Sequence, residues 1–246
     1  MTITCITQAR LTSTRLPSKI LLPITDHHNA VTLLSTRVSK SALIDHHLFA
    51  IPDTLENQPL ASYLESNQIP YIAGSENDLV DRHLLACSND TRAIVRITSD
   101  CPLVDPFWID KAIELYLTGY EYVSTYTPAA TSKFCNGSDI EVFSVDLLKT
   151  ISHDFLDASD REHVTFPLWD GRVNCNYTNL NHLIPEPITD VRITLDYEED
   201  LTVMKHLSKN IDLVKADLLS IAKMYRQLNL GSINGDIRYD AGWSNN

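Results

Sequence analysis

The chain has 246 residues, of which 43% are hydrophobic and 21% are charged, and its formal net charge is −12 at pH 7. This composition predicts a folded protein with a substantial core, and the acidic balance argues against a general nucleic-acid binder, which needs a broad cationic surface. We find no long apolar window and no cationic leader before an apolar stretch, so we expect neither a membrane span nor a signal peptide.

Strand and helix patterns alternate along the chain. The predicted strands are residues 2–7, 47–51, 70–73, 93–98, 122–125, 139–145, 173–177 and 191–195. The predicted helices are residues 31–40, 58–67, 78–88, 106–117, 198–209 and 215–228, and one more should follow the Ser-x-x-Glu capping box at 159–162. This alternation predicts an α/β fold in which a mostly parallel sheet carries helices on both faces.

We expect one domain over residues 1–246, in which the tail after Gly231 has no assigned structure. The irregular stretch 126–138 is interpreted as an active-site loop. The five cysteines are odd in number and form no C-x-x-C pair, which argues against a disulfide framework or a thiolate zinc site. This use of cysteine favours a reducing cytoplasm.

The first predicted strand leads into a loop with three cations, Arg10, Arg15 and Lys19, whereas residues 1–25 contain no Asp or Glu. Arginine offers a planar fork to phosphate oxygens and lysine a mobile point charge, so this loop, which also has the hydroxyl of Ser13, suits a polyphosphate. It lacks the glycines of a Walker A loop or a dinucleotide-binding turn, so side chains must supply most contacts. The alternative is a basic surface loop.

Two aspartates, Asp100 and Asp196, each follow a predicted strand. The carboxyl ends of parallel strands share one edge of a sheet, where ligands bind, so both acids should face the cationic loop. Carboxylate oxygens together with substrate phosphates suit Mg²⁺. As alternatives, Asp100 organises the turn before a helix and Asp196 caps one.

Three further segments have side chains suited to a polar substrate. Asp139 and Glu141 are two residues apart on a predicted strand, so both should point to one face, toward a polyhydroxy substrate or a metal; an exposed edge strand is the alternative. His163 is suited to act as a base or to bind an acidic sugar, although a surface helix start explains it equally well. The turn and helix at 74–82 could reach a base or a ribose.

Six segments, taken in order, resemble one family. They are Gln8–Lys19 (Gln-Ala-Arg-x-x-Ser-x-Arg-Leu-Pro-x-Lys), Gly74–Arg82, Arg96–Pro106 and the segments that begin at Asp139, Arg161 and Arg192. Over roughly residues 2–207 the chain resembles the SpsF-type cytidylyltransferases of spore-coat and surface polysaccharide synthesis, which are related to the CMP-sialic acid and KDO cytidylyltransferases.

This resemblance implies a GT-A-like nucleotidyltransferase fold and a cytoplasmic, homodimeric enzyme that transfers CMP from CTP to an acidic sugar of the ulosonic-acid type. The enzyme would depend on Mg²⁺ and release pyrophosphate. The implied nucleotide-binding residues are Gln8, Ala9, Arg10, Ser13, Arg15, Lys19, Gly74, Ser75, Arg82 and Asp100. Arg10, Arg15, Lys19 and Asp100 would be catalytic, Asp139, Glu141, Glu162 and His163 would face the sugar, and Asp100 and Asp196 would hold the metal.

The chain departs from this family at four positions. Thr12, Ser18 and Ser99 stand where relatives usually have glycine, and Ser138 replaces an apolar residue, so we expect added bulk or a hydroxyl near the phosphates or the sugar. These changes keep an inactive nucleotide- or sugar-binding homologue as one alternative. A second is a nucleotide-sugar-dependent glycosyltransferase, for which the Asp-x-Asp-like sequence at 139–141 is the available metal motif.

Overall fold

The computed structural model describes residues 2–126 and 131–238. The strands are β1 (Thr2–Gln8), β2 (His46–Pro52), β3 (Tyr71–Gly74), β4 (Thr91–Thr98), β5 (Tyr122–Ser124), β6 (Glu141–Ser144) and β7 (Tyr177–Asn179). The helices are α1 (Ala30–Val38), α2 (Gln58–Ser66), α3 (Leu79–Leu85), α4 (Pro106–Leu117), α5 (Val145–Asp154), α6 (Ala158–His163), α7 (Phe166–Trp169), α8 (Glu198–Ser208), α9 (Leu218–Gln227) and α10 (Gly231–Asn234).

The strands form one sheet in the order β3-β2-β1-β4-β6-β5-β7. Strand β6 runs antiparallel to β4 and β5, and the other pairings are parallel. The predicted mostly parallel sheet is therefore confirmed. The chain winds from β1 outward to β2 and β3 and then returns to β4 on the other side of β1, and this reversal of strand order is where open α/β sheets bind ligands.

Side chains alternate between two apolar layers along the central strands. On β4, Ala93 and Val95 pack with α1, α4 and α8, whereas Ile94 packs on the opposite face with α3 and α5. All three side chains are fully buried. Because successive residues of a strand point to opposite faces, a strand buried on both sides needs this continuous apolar run. The prediction of helices on both faces is confirmed.

Three predicted elements are wrong in place or kind. The strand predicted at 173–177 is instead β7, which begins at Tyr177, and the strand predicted at 139–145 begins only at Glu141. The segment 191–195 is not a strand within the described sheet, because its backbone bonds go to two different neighbours: Ile193 donates to Asn136 and Leu195 to Asp100.

Helix starts also differ from the predictions. Helix α6 begins at Ala158, so Ser159 lies inside the helix and forms no capping box. Helix α9 begins at Leu218 rather than at residue 215, because the Asp217 side chain accepts a bond from the Ser220 amide and caps the helix there. Part of the unassigned tail is α10; residues 127–130 of the predicted active-site loop and 239–246 of the tail lie outside the described residues. In the part of the chain that is described, no helix combines the length and apolarity needed to cross a membrane.

Candidate active site

An open cleft of about 350 Å³ lies at the carboxyl ends of β1 and β4. It brings together most of the predicted site residues. Those that line it are Gln8, Ala9, Arg10, Ser13, Arg15, Lys19, Arg82, Asp100, Asp139, Glu141, Glu162, His163 and Asp196. Gly74 and Ser75 do not line it. The cleft also contains residues that no motif marked, among them the aromatic pair Tyr126 and Trp169, whose ring centroids are 5.7 Å apart.

The cationic loop after β1 folds back on itself. The Leu11 amide donates to the buried Asn57 side chain at 2.8 Å, and the Ser18 amide donates to the Leu11 carbonyl at 3.2 Å. The turn requires Ser18 to adopt a left-handed backbone conformation with φ 54°, which strains a residue with a side chain more than it strains glycine. The turn places Lys19, which follows directly, with its side chain in the cleft.

Lys19 joins the two predicted metal-binding aspartates. Its Nζ lies 2.7 Å from Asp196 Oδ1 and 3.3 Å from Asp100 Oδ2. Arg15 Nη2 contacts the same Asp196 oxygen at 2.9 Å. Burial alone would lower the pKa of Lys19, but the two carboxylates outweigh it and hold the pKa above its ordinary value. Arg15, Lys19 and the two acids therefore share one cluster.

A close backbone approach brings Asp196 to this cluster. Gly137 has φ +99°, and a Cβ there would lie 2.3 Å from the Thr194 amide nitrogen. The Leu195 amide donates to the Asp100 carbonyl at 2.8 Å. Gly137 and Asp100 thus hold the segment before Asp196 from two sides, which directs that carboxylate into the cleft although the segment is not a strand.

The alternative role of Asp196 as a helix cap is wrong. Helix α8 begins at Glu198 after Tyr197, and it is Asp200 that accepts the amides of Asp196 and Tyr197, at 2.9 and 3.0 Å. Asp100 organises the turn, as its alternative interpretation predicts, and also faces the cleft, while its role as a metal ligand stays a prediction. One of its oxygens accepts from the Thr98 hydroxyl in the turn, and the other faces Lys19 in the cleft.

The acidic pair fits a divalent cation that is shared with a substrate. Asp100 and Asp196 present carboxylate oxygens to one point, and Asp196 Oδ2 has a distant contact of 3.8 Å to Arg192. Among the described residues, no group of three or more His, Cys, Asp or Glu side chains could hold a metal ion by itself. Since Mg²⁺ is usually bound by one or two carboxylates plus substrate phosphates, the pair has the donors this ion needs.

Asp139 lies beside this pair, and its carboxyl has an unusually high pKa. Burial, followed by the nearby charges of Asp100 and Glu141, raises the pKa of its carboxyl to about 7. The Cys101 thiol lies 3.7 Å from its Oδ2. Near neutral pH, Asp139 is therefore a mixture of the neutral acid and the carboxylate.

Glu141 lines the cleft but is occupied by protein donors. Its carboxylate accepts from Arg96, from Tyr122 and Thr165 at 2.6 and 2.7 Å, and from Trp169 at 3.1 Å. Strand β6 lies between β4 and β5, so the interpretation of this region as an exposed edge strand is wrong. Glu141 thus links β4 and β5, in the middle of the sheet, to Thr165 directly before α7 and to Trp169 at its end.

Gly74 and Ser75 lie behind the cleft and support Arg82. A Cβ on Gly74 would lie 3.4 Å from Arg82 Cγ and 3.2 Å from Leu85, so the glycine lets the helix pack closely. The Ser75 carbonyl accepts a bond from Arg82 Nη1 at 2.9 Å. Both residues thus act on the cleft through the arginine rather than by lining it.

An ion pair that the sequence reasoning missed links the two helices of this wall. Arg161 donates to Asp78 through Nε at 2.8 Å and through Nη2, and Asp78 also caps α3. This pair fixes α3, which carries Arg82, to α6, which carries Glu162 and His163. The signal was present as opposite charges in two of the six family segments.

The four positions at which a serine or threonine departs from the family pattern fall into two groups. Thr12 and Ser99 line the cleft, as expected. Ser18 and Ser138 do not, which corrects the expectation of added groups near the substrate at those positions. Ser138 is buried and donates to the Cys135 carbonyl at 2.7 Å, so its hydroxyl is satisfied inside the protein.

Sequence comparison identifies relatives over nearly the same span. The profile of a family described as cytidylyltransferase matches residues 4–230. The spore coat polysaccharide biosynthesis protein SpsF of Bacillus subtilis is 29% identical over 209 residues, which cover 82% of this chain and 84% of SpsF.

Structural comparison gives the fold. A cytidylyltransferase from Leptospira borgpetersenii has a TM-score of 0.87 and 24% identity, over 97% of this chain and 98% of that chain. A CMP:2-keto-3-deoxy-manno-octonic acid synthetase complexed with CTP has a TM-score of 0.59 and 14% identity, over 86% of this chain and 100% of that chain. The predicted α/β nucleotidyltransferase fold is therefore confirmed.

Proposed function

The chain belongs to the cytidylyltransferase family, and from that premise we propose that it transfers CMP from CTP to a hydroxyl of an acidic sugar of the ulosonic-acid type for surface polysaccharide synthesis. The resemblance to SpsF-type enzymes is confirmed by the match to SpsF itself. An acidic sugar is supported by the similarity to a synthetase that acts on 2-keto-3-deoxy-manno-octonic acid. The observation that carries the proposal is the convergence of Arg15 and Lys19 with Asp100 and Asp196 in one cleft.

The proposed reaction is an in-line displacement. The sugar oxygen attacks the α-phosphorus of CTP, the bond from that phosphorus to the bridging oxygen breaks, and pyrophosphate leaves. Such a transfer needs positioning and charge stabilisation rather than a covalent enzyme intermediate. Arg10, Arg15 and Lys19 would hold the triphosphate and stabilise the charge on the departing pyrophosphate.

Asp100 and Asp196 would hold Mg²⁺. The ion, when bound, would neutralise charge on the α-phosphate. Lys19 has a separate task in the protein itself, because its ammonium keeps the two carboxylates together. Removing divalent ions should therefore abolish turnover without separating these acids.

The sugar would lie toward the wall formed by Asp139, Glu162 and His163, all of which line the cleft. Glu141 contributes there by holding Arg96, Thr165 and Trp169 rather than by offering a free oxygen. This also weakens the glycosyltransferase alternative. That alternative depends on residues 139–141 as a metal motif, and the second acid of the motif is already occupied by four donors.

The expected homodimer remains part of this proposal. Sedimentation of the purified protein measures its oligomeric state directly, and a monomer at assay concentration would contradict the expectation.

The proposal is tested by measuring pyrophosphate release. We would screen the four nucleoside triphosphates against a panel of ulosonic acids, with and without Mg²⁺. Arg15→Ala and Asp100→Ala should each lower turnover by about a hundredfold, since each removes a charged contact made in the transition state. Arg92→Ala, at an exposed position on β4 outside the cleft, is the matched control. Near-normal turnover in both cleft variants would overturn the assignment.

A further inference from the structure

The short helix α10 lies beyond the part of the chain that matches the family. The cytidylyltransferase profile covers residues 4–230, and α10 spans Gly231–Asn234. It follows α9 through a reversal at Asn229, whose φ of 51° is a left-handed conformation that asparagine tolerates better than most residues. The reversal packs α10 against α8, and the Asn234 side chain at its end is only 1% exposed.

Asn234 uses its whole side-chain amide inside the protein. Its Nδ2 donates to the Arg192 carbonyl at 3.1 Å and to Asp200 Oδ1 at 2.9 Å, and its Oδ1 accepts from the Tyr225 hydroxyl at 2.7 Å. Arg192 precedes Asp196 by four residues, and Asp200 follows it by four. The amide therefore links the two ends of the segment that carries Asp196, and Tyr225 on α9 fixes the direction in which the amide points.

The Asp200 carboxylate connects Asn234 to the backbone of Asp196. It is fully buried, and five N–H groups donate to it. Its Oδ2 accepts the amides of Asp196 and Tyr197, at 2.9 and 3.0 Å, while Arg192 donates to both oxygens. A buried carboxylate that loses a donor shifts toward another partner or water, so removal of the Asn234 amide should disturb the backbone at 196–197.

We infer that Asn234 is a positioning residue for Asp196: it holds the backbone on both sides of this aspartate and so keeps the carboxylate beside the cationic loop. It acts through Asp200 and the Arg192 carbonyl and does not line the cleft itself. For its effect on catalysis, this inference rests on the proposed function. The alternative is that Asn234 satisfies buried polar groups and stabilises the fold without fixing Asp196.

Amide hydrogen exchange, followed by NMR, tests the position of this segment without catalysis. The amides of Asp196 and Tyr197 donate to Asp200, so their exchange reports directly whether that contact persists. The variants are Asn234→Ala and Asn234→Asp, which both remove the amide donors. Exchange at the two amides should become faster by about tenfold or more, relative to exchange at the buried amides of β4, because bonds to a charged group are lost.

Ile221→Ala is the matched control. Ile221 is fully buried on α9, so its truncation leaves a cavity and destabilises the fold without removing a hydrogen bond. In this variant, exchange at Asp196 and Tyr197 should rise no more than exchange in β4. The comparison separates a local release of the segment from a general loss of stability.

Tyr225→Phe is a milder variant in which the Asn234 amide remains. It removes only the hydroxyl that donates to Asn234 Oδ1, so the amide keeps its donors but loses the bond that orients it. Exchange at Asp196 and Tyr197 should rise by about threefold. If the Asn234 variants do not fold, this measurement decides the inference, and an unchanged rate overturns it.

Pyrophosphate release gives a second readout. Asn234→Ala should raise the Mg²⁺ concentration that gives half-maximal turnover by about tenfold, since partners that orient a ligand typically contribute that much to metal affinity or activity. Ile221→Ala should keep the Mg²⁺ dependence of the unsubstituted protein at temperatures where both are folded. This difference would not arise from a merely structural role of Asn234.

Two results overturn the inference. One is exchange at Asp196 and Tyr197 that rises no more in Asn234→Ala than in Ile221→Ala, and the other is an unchanged Mg²⁺ dependence of turnover in Asn234→Ala. The proposed function fails separately: it falls if the unsubstituted protein releases no pyrophosphate with any acid sugar, and the exchange measurements still decide whether Asn234 holds Asp196.

Discussion

Replacing Lys19 by methionine tests the acidic cluster at its centre. The substitution keeps much of the side-chain volume but removes the ammonium that lies 2.7 Å from Asp196 and 3.3 Å from Asp100. The two carboxylates would then face each other across an uncharged side chain. We expect the folded protein to lose stability and to gain a stronger response to divalent ions.

The size of the loss follows from what remains around each acid. Breaking a buried ion pair by removing one partner typically costs about 3–5 kcal/mol. Asp196 keeps Arg15 at 2.9 Å, and the Asp100 side chain is 30% exposed, so part of the charge stays balanced. We therefore expect about 2 kcal/mol at neutral pH, below the usual range for a fully buried pair.

The assay is urea unfolding of Lys19→Met and the unsubstituted protein, in chelator and in millimolar Mg²⁺. A divalent cation can take the place of the ammonium between two carboxylates, so Mg²⁺ should stabilise the variant more than the unsubstituted protein. Although burial alone would raise it, Lys19 and Arg15 hold the pKa of Asp196 below its ordinary value. That stabilisation exists above the ordinary pKa of about 4 and is lost below it, so the deficit of the variant should shrink in acid.

Lys111→Met is the control. Lys111 forms an ion pair with Glu114 at 2.6 Å, but the two side chains are 33% and 52% exposed. Its loss should cost less than about 0.5 kcal/mol and should not respond to Mg²⁺. Two results would contradict this prediction: a loss of unfolding free energy in chelator no larger for Lys19→Met than for Lys111→Met, or no extra stabilisation of Lys19→Met by Mg²⁺. Either would mean that the Lys19 ammonium does not hold the two carboxylates together.

Two further predictions concern stability. Ser18→Gly should raise the free energy of unfolding by about 0.5–1 kcal/mol, because glycine accepts φ 54° without the strain of a side chain; a loss in urea unfolding would contradict this. Burial is the main cause that lowers the pKa of His83 from 6.5 to about 3, so the unfolded chain binds a proton that the folded state refuses, and stability falls as pH drops below 6.5. The difference in unfolding free energy between pH 7 and pH 5 should therefore be about 2 kcal/mol smaller in His83→Phe, and an equal difference in both proteins would refute the assignment.

The central part of the cleft could be predicted because it depends on local patterns. Residues 2–7 and 93–98 are short segments rich in apolar and β-branched residues, and the carboxyl ends of parallel strands meet at one edge. Asp100 follows the second strand by two residues and Lys19 lies at the end of the loop that follows the first, so their proximity could be expected before any tertiary contact was known.

Asp196 reached its predicted place for a different reason from the one given. The segment before it was predicted as a strand, but its backbone bonds to Asn136 on one side and to Asp100 on the other. Its position depends on Gly137, whose importance lies in a backbone contact with Thr194, 57 residues along the chain. Periodicity within a short window contains no information about such a contact.

Glu141 shows what could not be predicted from the sequence about a buried acid. Two acids spaced by two residues predict a polar face, and the sequence alone does not say which one will be neutralised by partners. Those partners are Arg96 on β4, Tyr122 on β5, Thr165 directly before α7 and Trp169 at its end, so they assemble around the carboxylate only in the folded state.

Gly137 makes the geometry of the acidic pair depend on a residue without chemistry of its own. Adding a single methyl group there would push the chain around Thr194 outward and carry the second aspartate with it. A homologue that had lost this glycine would still have every charged residue of the cleft, yet its two aspartates would no longer be held side by side. Among relatives, the presence of this one small residue should therefore separate working members from decayed copies more sharply than the presence of the charged residues around the cleft.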